Sequence, residues 1–202
     1  KNLGKFEVDT PEYFSYTYLP IKFPWVTPFT IEKRLHVFNT LIARACCDFI
    51  GEYGLDRYID SFVYVIAKKA NQREGEGFNR PGWHSDGFMT DDISYIWSDT
   101  QPTVFNDSNF YLDEHELDSM NQMEAQALIE NDFSFENNTL IRMDQFTIHK
   151  VGEKIVGERT FLKIVFSNDK YALKGNSINH LLDYKWEYID RKSHRNIPQA
   201  TK

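Results

Sequence analysis

The stretch NTLIRMDQFTIHKVGEKIVGERTFLKIVFS, residues 138–167, decides the fold that we expect of this chain. Its apolar residues at 140–143 predict a β-strand, and the pair at 144–145 predicts a tight turn. Residues 146–151 then have the pattern of a return strand, as in a β-hairpin. The pattern therefore places His149 within that return strand.

A second strand is predicted by RTFLKIVFS, which begins at Arg159, ten residues beyond His149. Side chains alternate along a strand, so one face carries Arg159, Phe161, Lys163 and Val165. The opposite face is wholly suited to core packing. Two cations among apolar groups need compensation when they are buried. The pattern thus predicts an anionic ligand near this face, or a position of Lys163 near the open mouth of a barrel.

The segment RPGWHSDGF, residues 80–88, carries the other chemically informative side chains. Its H-x-D spacing directs the imidazole of His84 and the carboxylate of Asp86 the same way. Two histidines and one carboxylate form a facial triad, which holds Fe(II) on one side and leaves three positions open. We therefore expect His84, Asp86 and His149 to be metal ligands.

The strand at 140–143, the turn at Asp144, the distal His149 and the Gly157-Glu158-Arg159 run resemble the 2-oxoglutarate- and Fe(II)-dependent dioxygenase superfamily. The resemblance covers about residues 80–167, so the flanking segments inherit no functional residues from it. It implies that His84, Asp86 and His149 bind Fe(II). It also implies that Arg159 pairs with the distal carboxylate of 2-oxoglutarate, for which a guanidinium is chemically suited.

The chain departs from this family pattern two residues after the arginine, where several branches have serine and this sequence has Phe161. A second contact to the carboxylate must therefore come from elsewhere. Tyr95, on the predicted strand at 92–97, is the expected donor because its hydroxyl can hydrogen-bond a carboxylate. The glycine-containing loop at 71–82 is expected to act as a lid, and Trp83 with Phe88 to line the substrate pocket.

The fold that the strand pattern and the resemblance imply is mainly β with flanking helices, a double-stranded β-helix (jelly-roll, cupin-like) barrel. An antiparallel sandwich of another topology is the alternative. The implied reaction consumes dioxygen and 2-oxoglutarate, releases succinate and CO2, and hydroxylates a small molecule or a protein or peptide side chain. A nucleobase-oxidising dioxygenase is the alternative activity.

The length of 202 residues predicts a single domain. Within it, the patterns predict a wrapping segment at 1–29, a supporting helix at 30–50 capped by Thr30, a barrel core at 59–168 and a C-terminal appendage at 171–202. An acidic stretch at 113–130 is expected to be partly helical.

The net charge of −7 disfavours broad binding to nucleic acid without excluding it. No stretch is long and apolar enough to span a membrane. Cys46 and Cys47 are adjacent and are the only cysteines, which predicts reduced thiols and a cytoplasmic protein.

Two rival classes remain at this point. A non-catalytic barrel would use His84, Asp86 and His149 only as buried hydrogen-bonding residues. A cupin that binds Zn or Mn is the other rival, although cupin sites usually combine three histidines with a glutamate. The set of two histidines, one aspartate and a following Arg159 favours the oxygenase.

Overall fold

The computed structural model describes residues 1–26, 28–73, 82–152 and 156–191, and within them the chain is mainly β with flanking helices. The strands, in chain order, are β1 (Asn2–Lys5), β2 (Phe14–Lys22), β3 (Phe62–Gln72), β4 (Ile93–Ser98), β5 (Val104–Asn106), β6 (Asp132–Ser134), β7 (Thr139–Met143), β8 (His149–Lys150) and β9 (Gly157–Ser167).

These strands form two antiparallel sheets. The large sheet has the order β1-β7-β4-β9-β3-β2, and the small sheet has the order β6-β5-β8. A bridge between His84 and His149 adds the His84 segment beside β8 in the small sheet. Along the chain from β3, the strands therefore pass repeatedly from one sheet to the other, which is the jelly-roll arrangement expected from the sequence.

The expected hairpin between β7 and β8 is absent from the described strands, because β7 lies in the large sheet and β8 in the small one. The turn between them is held by the Asp144 carboxylate, which accepts from the Phe146 amide at 3.0 Å and the Thr147 hydroxyl at 2.8 Å. The prediction failed because strand periodicity cannot tell a hairpin from a crossing between facing sheets. The return strand is also shorter than expected.

The helical layer covers the outer face of the large sheet. It comprises a 3-10 helix (Lys33–Phe38), α1 (Asn39–Tyr53) and α2 (Leu55–Asp60). Thr30 does not cap a helix, because the helical layer begins at Lys33 with Glu32 at the N-cap position. The Thr30 amide instead donates to Ile21 O at 2.7 Å. The apolar stripe of α1 is buried with outward-facing residues of the large sheet in one core: Leu41, Ile42, Ala45, Phe49, Leu162, Ile164 and Phe166.

The remaining helices are α3 (Glu116–Gln126), within the acidic stretch, and a short 3-10 helix (Ile129–Asn131). None of the helices in the described ranges is long and apolar enough to cross a membrane.

The two terminal segments dock against the large sheet. The N-terminal segment provides β1 and β2, which lie at opposite edges of the sheet. In the C-terminal segment the Asn179 side-chain amide donates to Pro20 O at 2.9 Å and Thr30 O at 2.8 Å. The Trp186 ring lies 5.3 Å from that of Phe23. These contacts hold the tail against the end of β2.

An apolar cluster fills part of the space between the two sheets. It contains Ile96, Phe105, Ile141, Met143 and Phe161, with Phe105 contributed by the small sheet. Further along the inner face of β9, the apolar residues give way to the charged side chain of Lys163, which contacts Asp86. The polar end of the jelly roll is therefore the candidate site.

Candidate metal centre

The two expected histidine ligands are brought together by the small sheet. The His84 amide donates to His149 O at 3.0 Å, and the His149 amide donates to His84 O at 2.8 Å. Their ring centroids are 4.5 Å apart. One potential ligand atom from each of His84, Asp86 and His149 lies within 4.8 Å of the others. The structure thus assembles the three residues that the sequence singled out.

Backbone carbonyls orient both imidazoles. Nδ1 of His84 lies 2.9 Å from Gly82 O, and Nδ1 of His149 lies 2.9 Å from Thr147 O. A carbonyl only accepts, so each Nδ1 must carry the proton and donate. Nε2 is then the nitrogen that each ring keeps for a metal, which would take the place of any proton that Nε2 carries.

Asp86 is the charged centre of the group. Its Oδ2 lies 3.3 Å from His149 Nε2 and 2.6 Å from Lys163 Nζ. Burial raises the pKa of the Asp86 carboxyl, but the Lys163 ammonium and the hydrogen bond to His149 outweigh burial and hold that pKa well below its usual range. Asp86 is therefore an anion at neutral pH, as a metal ligand must be.

A tight turn follows Asp86 and returns the chain to β4. Gly87 has φ of 65°, and the Thr90 amide donates to Gly87 O at 2.9 Å. A Cβ at position 87 would lie 2.7 Å from Asp92 Cβ, closer than real Cβ atoms approach. Both the left-handed backbone and the close approach require glycine here.

Helix α3 supports the ligand loop from behind. Trp83, Met123 and Ile148 form one buried cluster, with Phe88 packed against it. The Trp83 amide donates to Glu124 Oε2 at 3.1 Å. Trp83 and Phe88 therefore pack against the segments before His84 and His149, and the expectation that they line the substrate pocket stays a prediction.

Arg159 lies on the inner face of β9, two residues before Phe161, and is 2% exposed. Its Nε donates to Thr100 O at 3.2 Å and its Nη2 to Gln101 O at 3.0 Å, which fixes the plane of the guanidinium. Burial lowers the pKa of Arg159 to about 10, and Asp99 opposes this shift only in part. Arg159 is thus a buried cation on the inner face of the jelly roll.

Tyr95 does not belong to the site, which corrects the expectation from the sequence. Its hydroxyl donates to Asp48 Oδ2 at 3.1 Å, on the outer face of the large sheet, within the core shared with α1. Strand alternation explains the error, because Ile96 faces the interior and its neighbours Tyr95 and Trp97 must face outward. The second contact to a carboxylate cannot come from Tyr95.

Sequence reasoning missed Tyr18 and Asp92, which interact with Lys163, and Tyr171, which contacts both of them. The Tyr171 hydroxyl donates to Asp92 Oδ2 at 2.5 Å, and the rings of Tyr18 and Tyr171 are 5.4 Å apart in an edge-on arrangement. Burial raises the pKa of Asp92, while Ser167, Tyr171 and Lys163 partly oppose it. The strand pattern around residues 92–97 could have identified Asp92 as a residue of the inner face. Tyr18 and Tyr171 belong to segments that are distant in the sequence and carry no motif.

The expected lid at 71–82 falls mostly on residues 74–81, which lie outside the described residues.

Comparison with known proteins finds no matching family model and no matching curated protein. Several solved structures resemble the chain. EvdO2 from Micromonospora carbonacea var. aurantiaca, complexed with 2-oxoglutarate, is 14% identical over 68% of this chain and 66% of its own, with a TM-score of 0.42. This chain thus spans just under two thirds of the length of EvdO2.

Another is an oxidoreductase of the 2OG-Fe(II) oxygenase family from Burkholderia pseudomallei, 13% identical over 84% of this chain and 76% of its own, with a TM-score of 0.43. A third is a C-terminally truncated protein from Neurospora crassa in its apo form, 15% identical over 71% of this chain and 57% of its own, with a TM-score of 0.36. Likenesses of this size assign no function, so the function must be argued from the side chains themselves.

Proposed function

We propose that this chain is a 2-oxoglutarate- and Fe(II)-dependent dioxygenase. The observation that carries the proposal is the grouping of His84, Asp86 and His149, with one ligand atom each within 4.8 Å, inside a jelly roll. The buried Arg159 on the inner face of β9 supplies the cation that a dicarboxylic cosubstrate needs.

The donor set fits a divalent iron. Two imidazole nitrogens and one carboxylate oxygen suit Fe(II) and leave three coordination positions for other ligands. When bound, iron with 2-oxoglutarate supplies the oxidising chemistry, in which dioxygen is reduced, succinate and CO2 are released and the primary substrate is hydroxylated.

The residues of the chain have separate tasks in this proposal. The carbonyls of Gly82 and Thr147 orient the two imidazoles through Nδ1 and so leave Nε2 of each for the metal. Asp86 contributes the one anionic ligand. Arg159, fixed by two backbone carbonyls, would pair with the distal carboxylate of 2-oxoglutarate, and this pairing would offset the burial of its charge.

The primary substrate that we favour is a small molecule or a protein or peptide side chain. The support for this preference is the net charge of −7, which opposes the electrostatic attraction on which nucleic-acid binding depends. A nucleobase substrate is the less favoured alternative.

One observation favours a rival, namely a binding module that needs no metal. Asp86 already has two partners in the structure, His149 and Lys163, so the group is electrostatically satisfied by the chain itself. Metal titration separates the two proposals, because a metal-free module would show no stoichiometric binding of Fe(II), Mn(II) or Zn(II).

The proposed function is tested by succinate formation. Protein, Fe(II) and 2-oxoglutarate are incubated in air with pools of amino acids, peptides and small metabolites, and succinate is measured by mass spectrometry. We expect one pool to raise succinate above the background without substrate, and only when both Fe(II) and 2-oxoglutarate are present. Succinate that is equal with and without Fe(II) would contradict the proposal.

A matched pair of histidine variants makes this test specific. His149→Ala removes a proposed ligand and should abolish succinate formation. His115→Ala removes an exposed histidine at the start of α3, whose Nδ1 lies 2.9 Å from Asp118 Oδ2, and it should leave succinate formation unchanged.

A further inference from the structure

Lys163 forms a buried ion pair with a proposed metal ligand. Its side chain is 7% exposed, and its Nζ lies 2.6 Å from Asp86 Oδ2. Its neighbours on the adjoining strands are apolar, Ile66 on β3 and Ile96 on β4. A cation in such surroundings depends on its anionic partner, because removing one member of a buried pair leaves an uncompensated charge.

A divalent cation would compete with Lys163 for the same carboxylate oxygen. Asp86 Oδ2 is the atom that faces both His149 Nε2 and Lys163 Nζ. A metal bound there would lie close to the ammonium, and like charges a few ångströms apart in a protein interior repel strongly. Asp92 is the other carboxylate near Lys163, but it already accepts from the Tyr171 hydroxyl at 2.5 Å. With metal bound, the charge of Lys163 is therefore best compensated by an anion beside the metal.

The position of Arg159 indicates what that anion is. Arg159 lies four residues before Lys163 on the same inner face of β9, which separates their Cα atoms by about 13 Å. Both side chains are long and reach into the interior, so their charged ends can approach the two ends of one short dicarboxylate. The backbone bonds that fix Arg159 keep one of these ends in place.

Resting on the proposed function, we propose that Lys163 is a positioning residue which binds the metal-proximal carboxylate of 2-oxoglutarate, while Arg159 binds the distal one. The two cations then hold opposite ends of one dianion and set its direction in the site. In the absence of metal, the ammonium instead occupies the place beside Asp86. Lys163 thus disfavours binding of the metal alone and favours binding of the metal together with an oxo acid.

The test uses two oxo acids that differ at one end. 2-Oxobutyrate keeps the oxo acid group of 2-oxoglutarate and lacks the distal carboxylate. Binding of each to the Mn(II)-loaded protein is measured by calorimetry, and binding of Mn(II) alone is measured from the loss of the free-ion electron paramagnetic resonance signal. Both readouts are independent of turnover.

Lys163→Met should lower the affinities for 2-oxoglutarate and for 2-oxobutyrate by the same factor, about tenfold or more. The reason is that it removes a charged hydrogen bond to the oxo acid end that the two molecules share. Arg159→Ala should weaken 2-oxoglutarate alone. Without an oxo acid, Lys163→Met should bind Mn(II) more tightly than wild type, since the competing ammonium is gone. Lys163→Arg, which keeps the charge, should lose less oxo acid affinity than Lys163→Met.

Lys150→Met is the matched control. Lys150 follows His149 directly, but its ammonium pairs with Asp132 at 3.2 Å and lies over the Trp83 ring. Removal of the Lys150 ammonium should change the affinities for 2-oxoglutarate and 2-oxobutyrate by no more than about twofold, as expected for a partly exposed ion pair.

Equal oxo acid affinities in wild type and Lys163→Met would overturn this inference alone, provided that wild type binds Mn(II) and 2-oxoglutarate. Equal losses in Lys150→Met and Lys163→Met would also overturn it, because they would indicate a general charge effect. A wild-type protein that binds neither Mn(II) nor 2-oxoglutarate would instead overturn the proposed function. If Lys163→Met does not fold, Lys163→Gln, which also removes the charge, takes its place under the same criteria.

Discussion

His84 and His149 exchange two backbone hydrogen bonds, of 3.0 and 2.8 Å, across the edge of the small sheet. The bridge aligns two side chains that are 65 residues apart in the sequence. Each imidazole is then fixed by a carbonyl of its own segment, Gly82 O or Thr147 O. The backbone thus orients the two imidazoles that we propose as metal ligands.

His149→Ala should eliminate stoichiometric Mn(II) binding while the protein stays folded. The backbone bridge to His84 does not involve the imidazole, so the strand pairing survives the substitution. Binding is measured by electron paramagnetic resonance and folding by circular dichroism. Retention of wild-type Mn(II) affinity would remove His149 from the ligand set, and the exposed His115→Ala serves as the control.

Arg159→Ala should lower the affinity for 2-oxoglutarate by a few hundredfold, since loss of a charged partner in a buried pair costs about 3–5 kcal/mol. Arg159→Lys keeps the charge but loses the fork, so its loss should be partial. Mn(II) affinity without 2-oxoglutarate should change little. The quantity to measure is the dissociation constant for 2-oxoglutarate of the Mn(II)-loaded variants, and an unchanged value in Arg159→Ala would contradict the cosubstrate role.

Gly87→Ala should destabilise the protein by about 1–3 kcal/mol, because alanine is strained at positive φ and its Cβ would collide with Asp92. Gly51→Ala is the control, since a Cβ there meets nothing within 4 Å and alanine favours a helix. Chemical denaturation measures both free energies of unfolding. Equal stability of Gly87→Ala and wild type would mean that this turn does not constrain the ligand segment.

Much of the site was predictable because its residues belong to short local patterns. The H-x-D spacing lies within three residues, so one turn sets the directions of His84 and Asp86, and Arg159 follows His149 by only ten residues. The structure also accounts for the odd pair of cations on β9, where Lys163 meets Asp86 and Arg159 meets backbone carbonyls.

The errors arose where three-dimensional pairing decides the outcome. Strand periodicity gave no sign that β7 and β8 enter different sheets. The direction of the Tyr95 side chain depends on which face of β4 meets α1. Because β4 is buried on both faces, its sequence has no polar face that would identify the outer one. The 3-10 start of the helical layer likewise reflects packing that an amphipathic pattern does not encode.

Asp48→Asn tests the hydrogen-bonded group on the outer face of the large sheet, in which Asp48 accepts from Tyr95, Lys1 and Arg142. Burial raises the pKa of Asp48, but hydrogen bonds from Lys1 and Tyr95 and the charge of Arg142 outweigh burial and lower it below its ordinary value. A lowered folded-state pKa contributes stability that is present above the unfolded-state pKa and lost as pH falls through the folded-state value. The variant should therefore be less stable than wild type by about 3 kcal/mol at pH 7.

This difference should begin to shrink below about pH 4, the pKa of an aspartate in the unfolded chain, and should be lost only as pH falls through the lower folded-state pKa of Asp48. Urea denaturation of both proteins at several values between about pH 3 and pH 7 measures the difference in their free energies of unfolding. This range includes the pH at which an unfolded aspartate titrates. A difference that is constant over the whole range would show that the charge of Asp48 is not what stabilises the network.

The most direct test of the metal and cosubstrate assignment is the visible absorption spectrum of the anaerobic protein with Fe(II) and 2-oxoglutarate. Chelation of the metal by the oxo acid produces a weak charge-transfer band. We predict that wild type shows the band only when both Fe(II) and 2-oxoglutarate are present, and that His149→Ala shows none. A wild-type protein without the band, or a His149→Ala variant that retains it, would contradict the assignment of His84, Asp86 and His149 as the iron ligands.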